Sequence, residues 1–148
     1  MSESKSIKFI GSNAKWVHSE MIDAFKAHGD CEIVISPWSD KRSLDANAQI
    51  YVWYAEIAKH QGETPQYVRN QCKLDYGLPI MLRDPILGPK ISFFLNGKSF
   101  HKWPRGKQIS AMELFSITSL FSTKQHNEYR DTIQNEMGKA GVILSYKT

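Results

Sequence analysis

Residues 91–103, with the sequence ISFFLNGKSFHKW, contain the strongest strand signal in this 148-residue chain. Ile91 to Leu95 and Lys98 to Trp103 are both rich in aliphatic and aromatic side chains. They flank Asn96-Gly97, a dipeptide whose preference for left-handed backbone suits a two-residue hairpin turn. The pattern predicts a central β-hairpin, and therefore a fold that contains a sheet.

Two shorter strands and a helix are predicted before this hairpin. Ile7 to Phe9 alternates as a strand would, and the β-branched run that ends Glu32 to Ile35 predicts another. Between them, Asn13 can cap a helix that Gly29 ends. Mixed strands and helices of this kind predict an α+β fold, in which a small mixed or antiparallel sheet is packed by about five helices. No repeat or linker divides the chain, so we expect a single domain over residues 1–148.

A helical hairpin is predicted after two neighbouring cations. Lys41-Arg42 precede Ser43, whose hydroxyl can cap a helix, and apolar residues then recur at helical spacing to about His60. Thr64-Pro65 has the signature of a second helix start, and Gly77 ends that helix. The cations therefore stand beside a helix start, which is a favourable place for an anion.

The remaining segments are predicted from their breakers and caps. Residues 78–90 contain three prolines and indicate a surface loop. A capping-box spacing favours a helix over about 111–121. The last helix is predicted over about 124–139, starting after Ser122 or Thr123.

Composition places the chain among ordinary soluble domains. Apolar residues make up 41% and charged residues 23%, and the net charge of +4 permits an anionic partner without demanding one. The N-terminus has no apolar run that would indicate a secretory signal, so we expect a cytoplasmic protein with no membrane segment. Cys31 and Cys72 are isolated in sequence, which favours buried, reduced thiols over a disulfide or a metal site.

The interval between Asp84 and Glu113 contains cations but no acidic residue. Its cations and the rings interleaved with them are Lys90, Lys98, Lys102, Arg105, Lys107, Phe93, Phe94, Phe100, His101 and Trp103. A basic surface with exposed rings neutralises phosphates and stacks unpaired bases. Trp103 is the best stacking candidate because Pro104 places it at a strand end. The alternative is a hairpin whose rings face the core and whose lysines form a solvated edge.

Two blocks of the sequence resemble the lambda NinB, or Orf, family of phage recombination proteins. The first block runs Arg42-Ser43-Leu44-Asp45-x-Asn47, followed by a tryptophan-bearing helix, a glycine turn and a second short helix. The second block comprises Ser119 to Ser122, Glu128-Tyr129, Ile133, Met137 and Gly141-Val142. Together the blocks cover somewhat under half of the chain. Ala46 departs from the family pattern, in which many members have Gln.

The resemblance implies a small sheet with helices packed on it, assembled as a homodimer. It also implies an accessory protein that binds single-stranded or gapped DNA and helps a recombinase displace single-strand-binding protein. Phosphate contact at Lys41 and Arg42 becomes the favoured interpretation, although a solvated turn is the alternative. The predicted DNA-binding residues are Lys41, Arg42, Arg69, Lys73, Lys98, Lys102, Trp103, Arg105 and Lys107. Arg69 and Lys73 lie on the helical hairpin, where single cations are often only solvated.

No catalytic motif is present, so we expect a protein that is not an enzyme and needs no cofactor and no metal. The histidines are scattered and the serines lack a nucleophile elbow. A metal-dependent nuclease is the first alternative, with Asp45, Asp75 and Asp84 brought together only by the fold. A protein interaction module, whose aromatic hairpin binds another protein and never touches DNA, is the second.

Overall fold

The computed structural model describes residues 5–38 and 46–146, and within these ranges all regular structure is helical. The α-helices are α1 (Ala14–His28), α2 (Ala46–Gln61), α3 (Pro65–Cys72), α4 (Leu78–Leu82), α5 (Leu87–Gly97), α6 (Arg105–Ala111) and α7 (Thr123–Lys139). A π-helical turn, Lys73–Gly77, joins α3 to α4 without a break. The 3₁₀ turns are Phe100–Lys102, Met112–Leu114 and Ile117–Leu120.

The predicted α+β fold with a central β-hairpin is wrong, because the first hairpin strand lies within helix α5. Leu87, Ile91 and Leu95 stand four residues apart, and all three pack into one core cluster. That spacing places them on one face of a helix. Phe93, which the strand pattern would have counted as a core residue, is 83% exposed.

Asn96-Gly97 ends a helix instead of turning a hairpin. Gly97 is the last residue of α5, and the backbone turns at Ser99, whose φ of 52° is left-handed. The amide of Ser99 donates to the carbonyl of Asn96 over 3.0 Å. Neither Asn96 nor Gly97 adopts the left-handed backbone that a two-residue hairpin turn requires, because both continue the helix.

The two predicted N-terminal strands also form no sheet in the described residues. Residues 7–9 and 32–35 carry no strand assignment, and Ile35 is 93% exposed. The helix predicted over 111–121 is wrong as well, since α6 ends at Ala111 and two 3₁₀ turns follow. The loop predicted over 78–90 instead contains α4 and the start of α5.

The structure confirms the helices that have strong caps. Thr64 accepts a hydrogen bond from the amide of Tyr67 over 3.1 Å, with Pro65 at the first helical position of α3. Ser122 and Gln125 form a reciprocal capping box at the start of α7. Helix α1 begins after Asn13 as predicted, although the Asn13 amide donates to the carbonyl of Lys8 instead of capping the helix.

Two apolar clusters form the core and share Phe121 at their boundary. The larger cluster packs α2 and α3 against α7 and the C-terminal segment, around Trp53, Tyr129 and Leu144. The smaller one holds α4, α5 and the 3₁₀ turns together. Helix α1 lies on α7 through Trp16, whose indole donates to Asn135 over 3.2 Å. None of the described helices is long and apolar enough to cross a bilayer.

Candidate nucleic-acid interface

Three exposed lysines lie around Trp103 where α5 passes through a 3₁₀ turn into α6. Lys98 caps α5, Lys102 ends the 3₁₀ turn and Lys107 lies in the first turns of α6. None of them is in an ion pair with another described residue. We call Lys98, Lys102 and Lys107 the lysine strip. Their charges are available to phosphates in solution.

Trp103 is held by its neighbours and is half-buried. Its indole N–H donates to the Lys98 carbonyl over 3.1 Å, and its ring centroid lies 5.2 Å from that of Phe100. The ammonium of Lys107 lies 4.4 Å from the Trp103 ring centroid, in a cation–π contact. A base that stacks on this face of the ring must first displace Lys107.

Arg105 has its charge compensated within the protein. Its two terminal nitrogens donate to the two carboxylate oxygens of Asp75 over 2.9 Å and 2.7 Å. This bidentate hydrogen bond raises the pKa of Arg105 above its ordinary value, although partial burial opposes the effect. In the sequence Arg105 belongs to the basic interval, but in the fold its guanidinium pairs with Asp75 of the π-helical turn.

Lys73 lies in the core, only 1% exposed. Its ammonium donates to the Met112 carbonyl over 2.6 Å. Burial first, and then the charge of Arg69, lower the pKa of Lys73. Its position therefore keeps it away from a DNA backbone and gives it a structural role between α3 and the Met112–Leu114 turn.

Arg69 opens onto a groove of about 600 Å³ between α2, α3, the Ile117–Leu120 turn and the start of α7. We call it the arginine groove. It is lined by Asn47, Ile50, Tyr51, Tyr54, Arg69, Ser116, Thr118, Ser119, Phe121, Ser122, Thr123, His126 and Arg130. These residues include two arginines and five serine and threonine hydroxyls but no carboxylate. Such a lining favours an anion with several acceptor oxygens.

His126 lies in the wall of this groove, with its ring edge-on to Phe121 and Tyr129. It is 9% exposed, and neither ring nitrogen bonds to another residue in the described part of the chain. Burial first, and then the charge of Arg130, lower the pKa of His126, while its own backbone carbonyl acts in the opposite direction. The imidazole is therefore biased toward its neutral form, which carries one donor and one acceptor.

The two arginines reach the groove from different helices. Arg69 on α3 lies over the ring of Tyr51, 5.6 Å from its centroid. Arg130 on α7 donates from one terminal nitrogen to Asn127, while its buried Nε has no partner among the described residues. Neither guanidinium is in an ion pair with a described carboxylate. The groove therefore combines two uncompensated positive charges.

The sequence contained a signal for this groove that our predictions did not use. Residues 116–123 hold five hydroxyl side chains, four before α7 and one at its first residue. His126 and Arg130 follow at a spacing of four, which places them on one helix face. Lys41 and Arg42, the first predicted phosphate contacts, lie outside the described residues. Asn47, in the first turn of α2, lines the groove.

The carboxylates of the nuclease alternative have structural partners where they are described. Asp75 holds Arg105, and Asp84 accepts from the amides of Ile86 and Leu87 and from the Gln125 side chain, over 2.8 to 2.9 Å. Asp45 lies outside the described ranges. No group of three or more His, Cys, Asp or Glu side chains suited to a metal ion occurs within 5–38 and 46–146.

Comparison with known proteins gives one partial likeness. No family model matches the chain, and no solved structure does. A segment of 62 residues is 36% identical to the uncharacterized protein YbcN of Escherichia coli strain K12. The likeness covers 37% of this chain and 41% of YbcN, so it spans less than half of either protein. The description of YbcN names no activity.

Proposed function

We propose that this protein binds single-stranded or gapped DNA as a non-catalytic accessory of phage-type recombination. The observation that carries the proposal is the lysine strip, in which three exposed lysines have no ion-pair partner among the described residues and lie beside the rings of Phe94 and Trp103. The resemblance to the NinB family supports the same function. The ligand would be single-stranded DNA, because unpaired bases can stack on the aromatic rings beside the lysine strip.

The lysine strip predicts a defined salt dependence. Each lysine that neutralises a phosphate releases condensed counterions, with a slope of about −0.7 per contact on single strands. Three such contacts correspond to a slope of about −2 in log affinity against log salt concentration. Arg105 adds little to this slope while Asp75 holds it.

The proposal also covers the partners and compartment that the resemblance implies. The protein would act in the cytoplasm of the bacterial host, beside single-strand-binding protein and recombinase, as a homodimer. Ile33, Val34 and Ile35 are 56%, 77% and 93% exposed, and Phe25 on α1 is 57% exposed. Burying them against a second copy would remove apolar surface from water. Light scattering after size exclusion tests the dimer directly.

The test of DNA binding uses fluorescence anisotropy of a labelled oligo-dT across a salt series. Changing Lys98, Lys102 and Lys107 together to Gln should weaken binding and reduce the slope by about 2. The control changes Lys15, Lys26 and Lys59 to Gln, which removes the same charge from exposed positions on α1 and α2. An equal loss in both triple variants would show that only net charge matters and would contradict the assigned surface.

Two further measurements separate the alternatives. Incubation with labelled DNA and Mg²⁺ or Mn²⁺ tests the nuclease alternative, which requires cleavage that is lost when Asp75 or Asp84 is changed.

The Lys102→Glu variant tests the interaction-module alternative. Charge reversal should abolish DNA binding, whereas apolar contact through Phe93, which is 83% exposed, would persist.

A further inference from the structure

We infer that the arginine groove is a second anion site, built to hold one phosphate group of a nucleic acid at a fixed position. The inference rests on the proposed function for the origin of the phosphate, since a DNA strand would supply it. It goes beyond that function because the lysine strip follows a backbone without fixing any single phosphate, whereas the groove has directional donors.

Among the residues that the structure describes, no carboxylate forms an ion pair with Arg69 or Arg130. Hydrogen bonds from Gln66 and Asn70, and then the charge of Arg69, lower the pKa of Glu113. The Glu113 carboxylate does not line the groove. Arg69 faces Tyr51, and Arg130 contacts the neutral amide of Asn127. A phosphate between the two guanidinium groups would accept charge-assisted hydrogen bonds from both, and a dianionic phosphate would balance both charges.

Buried polar groups without hydrogen-bond partners lie behind the wall of the groove, and side-chain rotation would bring them to a bound phosphate. His126 is 9% exposed with both ring nitrogens unpartnered in the described residues, and the buried Nε of Arg130 is in the same condition. Buried polar groups are normally satisfied by protein, water or ligand. Once rotated into the groove, an imidazole N–H and a guanidinium N–H from the same face of α7 can donate to two oxygens of one tetrahedral anion.

The size of the groove favours a phosphate that carries an organic substituent. Its volume of about 600 Å³ falls within the range of sites that hold small organic ligands, and is larger than an inorganic ion requires. Tyr51, 53% exposed, lines the groove with its ring. A nucleotide unit therefore fits the chemistry, with its phosphate toward Arg130 and its sugar or base toward Tyr51.

The experiment follows the His126 ring by ¹⁵N-edited NMR while inorganic phosphate replaces chloride at constant ionic strength. A saturable shift of the His126 resonances is expected, with those of His60 as the exposed reference. A second titration uses oligo-dT with and without a 5′-phosphate. A shift with both oligonucleotides assigns the groove to an internal phosphodiester, and a shift with the phosphorylated strand alone assigns it to a terminal phosphate. Either result supports the site.

Matched arginine variants then test the donors. Arg69→Gln and Arg130→Gln should each weaken phosphate and oligonucleotide binding about tenfold, which is the effect of losing one charge-assisted hydrogen bond. Arg83→Gln removes the same charge outside the groove, from an exposed pair with Glu128, and should leave both affinities unchanged.

The outcomes distinguish the inference from the proposed function. If His126 responds to neither phosphate nor oligonucleotide while binding through the lysine strip persists, the inference fails and the proposed function stands. If phosphate shifts His126 but DNA does not bind to the wild-type protein, the site stands and the proposed function fails. The wild-type titrations need no variant, so a variant that does not fold cannot obscure the result.

Discussion

The phenol oxygens of Tyr54 and Tyr129 lie 2.7 Å apart in the core and join α2 to α7. Both side chains are almost completely buried, so each hydroxyl depends on the other for its hydrogen bond. Burial raises the pKa of both phenols, so both stay protonated even where an ordinary tyrosine would ionise. Tyr54 also lines the arginine groove, so this contact fixes one wall of it.

Removing both hydroxyls of this pair should cost less than the sum of the two single removals. Tyr129→Phe leaves the buried hydroxyl of Tyr54 without a partner, at a cost of about 1 to 3 kcal/mol in the free energy of unfolding. The double variant, with both tyrosines changed to Phe, has no unsatisfied group and should be less destabilised than the sum of the two single variants. Urea denaturation measures all four proteins. Additive losses would contradict the coupling.

Gly97→Ala tests the helical fold against the predicted hairpin. Gly97 is helical, and nothing lies within 4 Å of an added Cβ. Alanine should therefore leave stability unchanged or raise it by up to about 1 kcal/mol. In a hairpin turn with left-handed backbone, the same change would be destabilising. Thermal unfolding distinguishes the two outcomes, and far-ultraviolet circular dichroism should show helix without a strand contribution from this segment.

Gly138→Ala should be strongly destabilising because α1 packs directly on this position. An added Cβ would lie 2.4 Å from Cε2 of Trp16, a ring that is 8% exposed and cannot move freely. Overpacking of this kind costs about 1 to 3 kcal/mol. Gly106→Ala is the control, since nothing lies within 4 Å of its added Cβ. Equal stability of the two variants would show that α1 does not pack against α7 as described.

Asp75→Asn should strengthen DNA binding, because it releases Arg105 from its bidentate pair. Arg105 lies at the start of α6, beside the lysine strip, so its freed charge should add one phosphate contact and make the salt slope steeper by about 0.7. Glu136→Gln is the matched control, since it releases Lys139 at the far end of α7. Anisotropy across a salt series measures both. A gain shared by the control would indicate net charge alone.

His126 should make the folded protein less stable in mild acid. Its pKa is lowered in the folded state, chiefly by burial, so the unfolded chain takes up the proton first as the pH falls. Its contribution to stability is therefore complete above the ordinary histidine pKa of about 6.5 and decreases below that value. His126→Gln should flatten the decline of stability from pH 7 to pH 5, whereas His60→Gln, at an exposed position, should not. Denaturant midpoints across this range provide the measurement.

The parts of the fold that were predictable are those governed by local chemistry. The caps at Thr64 and Ser122 and the stop at Gly29 act within one turn of backbone, so they were readable without tertiary information. Residues 91–97 were not, because their aromatic residues and the Asn-Gly pair fit a strand as well as a helix. Packing of Ile91 and Leu95 into the smaller cluster, with Phe93 left exposed, decides for the helix.

The candidate sites divide in the same way. The sequence by itself identified the lysines of the lysine strip and the rings interleaved with them, because these residues are close neighbours in one short segment. Tertiary structure alone decided that Asp75 compensates Arg105, that Lys73 is buried and that Arg69 meets Arg130 across one groove. Charge pairing and burial depend on which helices pack together, and these helices are far apart in the sequence. The complete apolar core determines that packing, so no single segment predicts it.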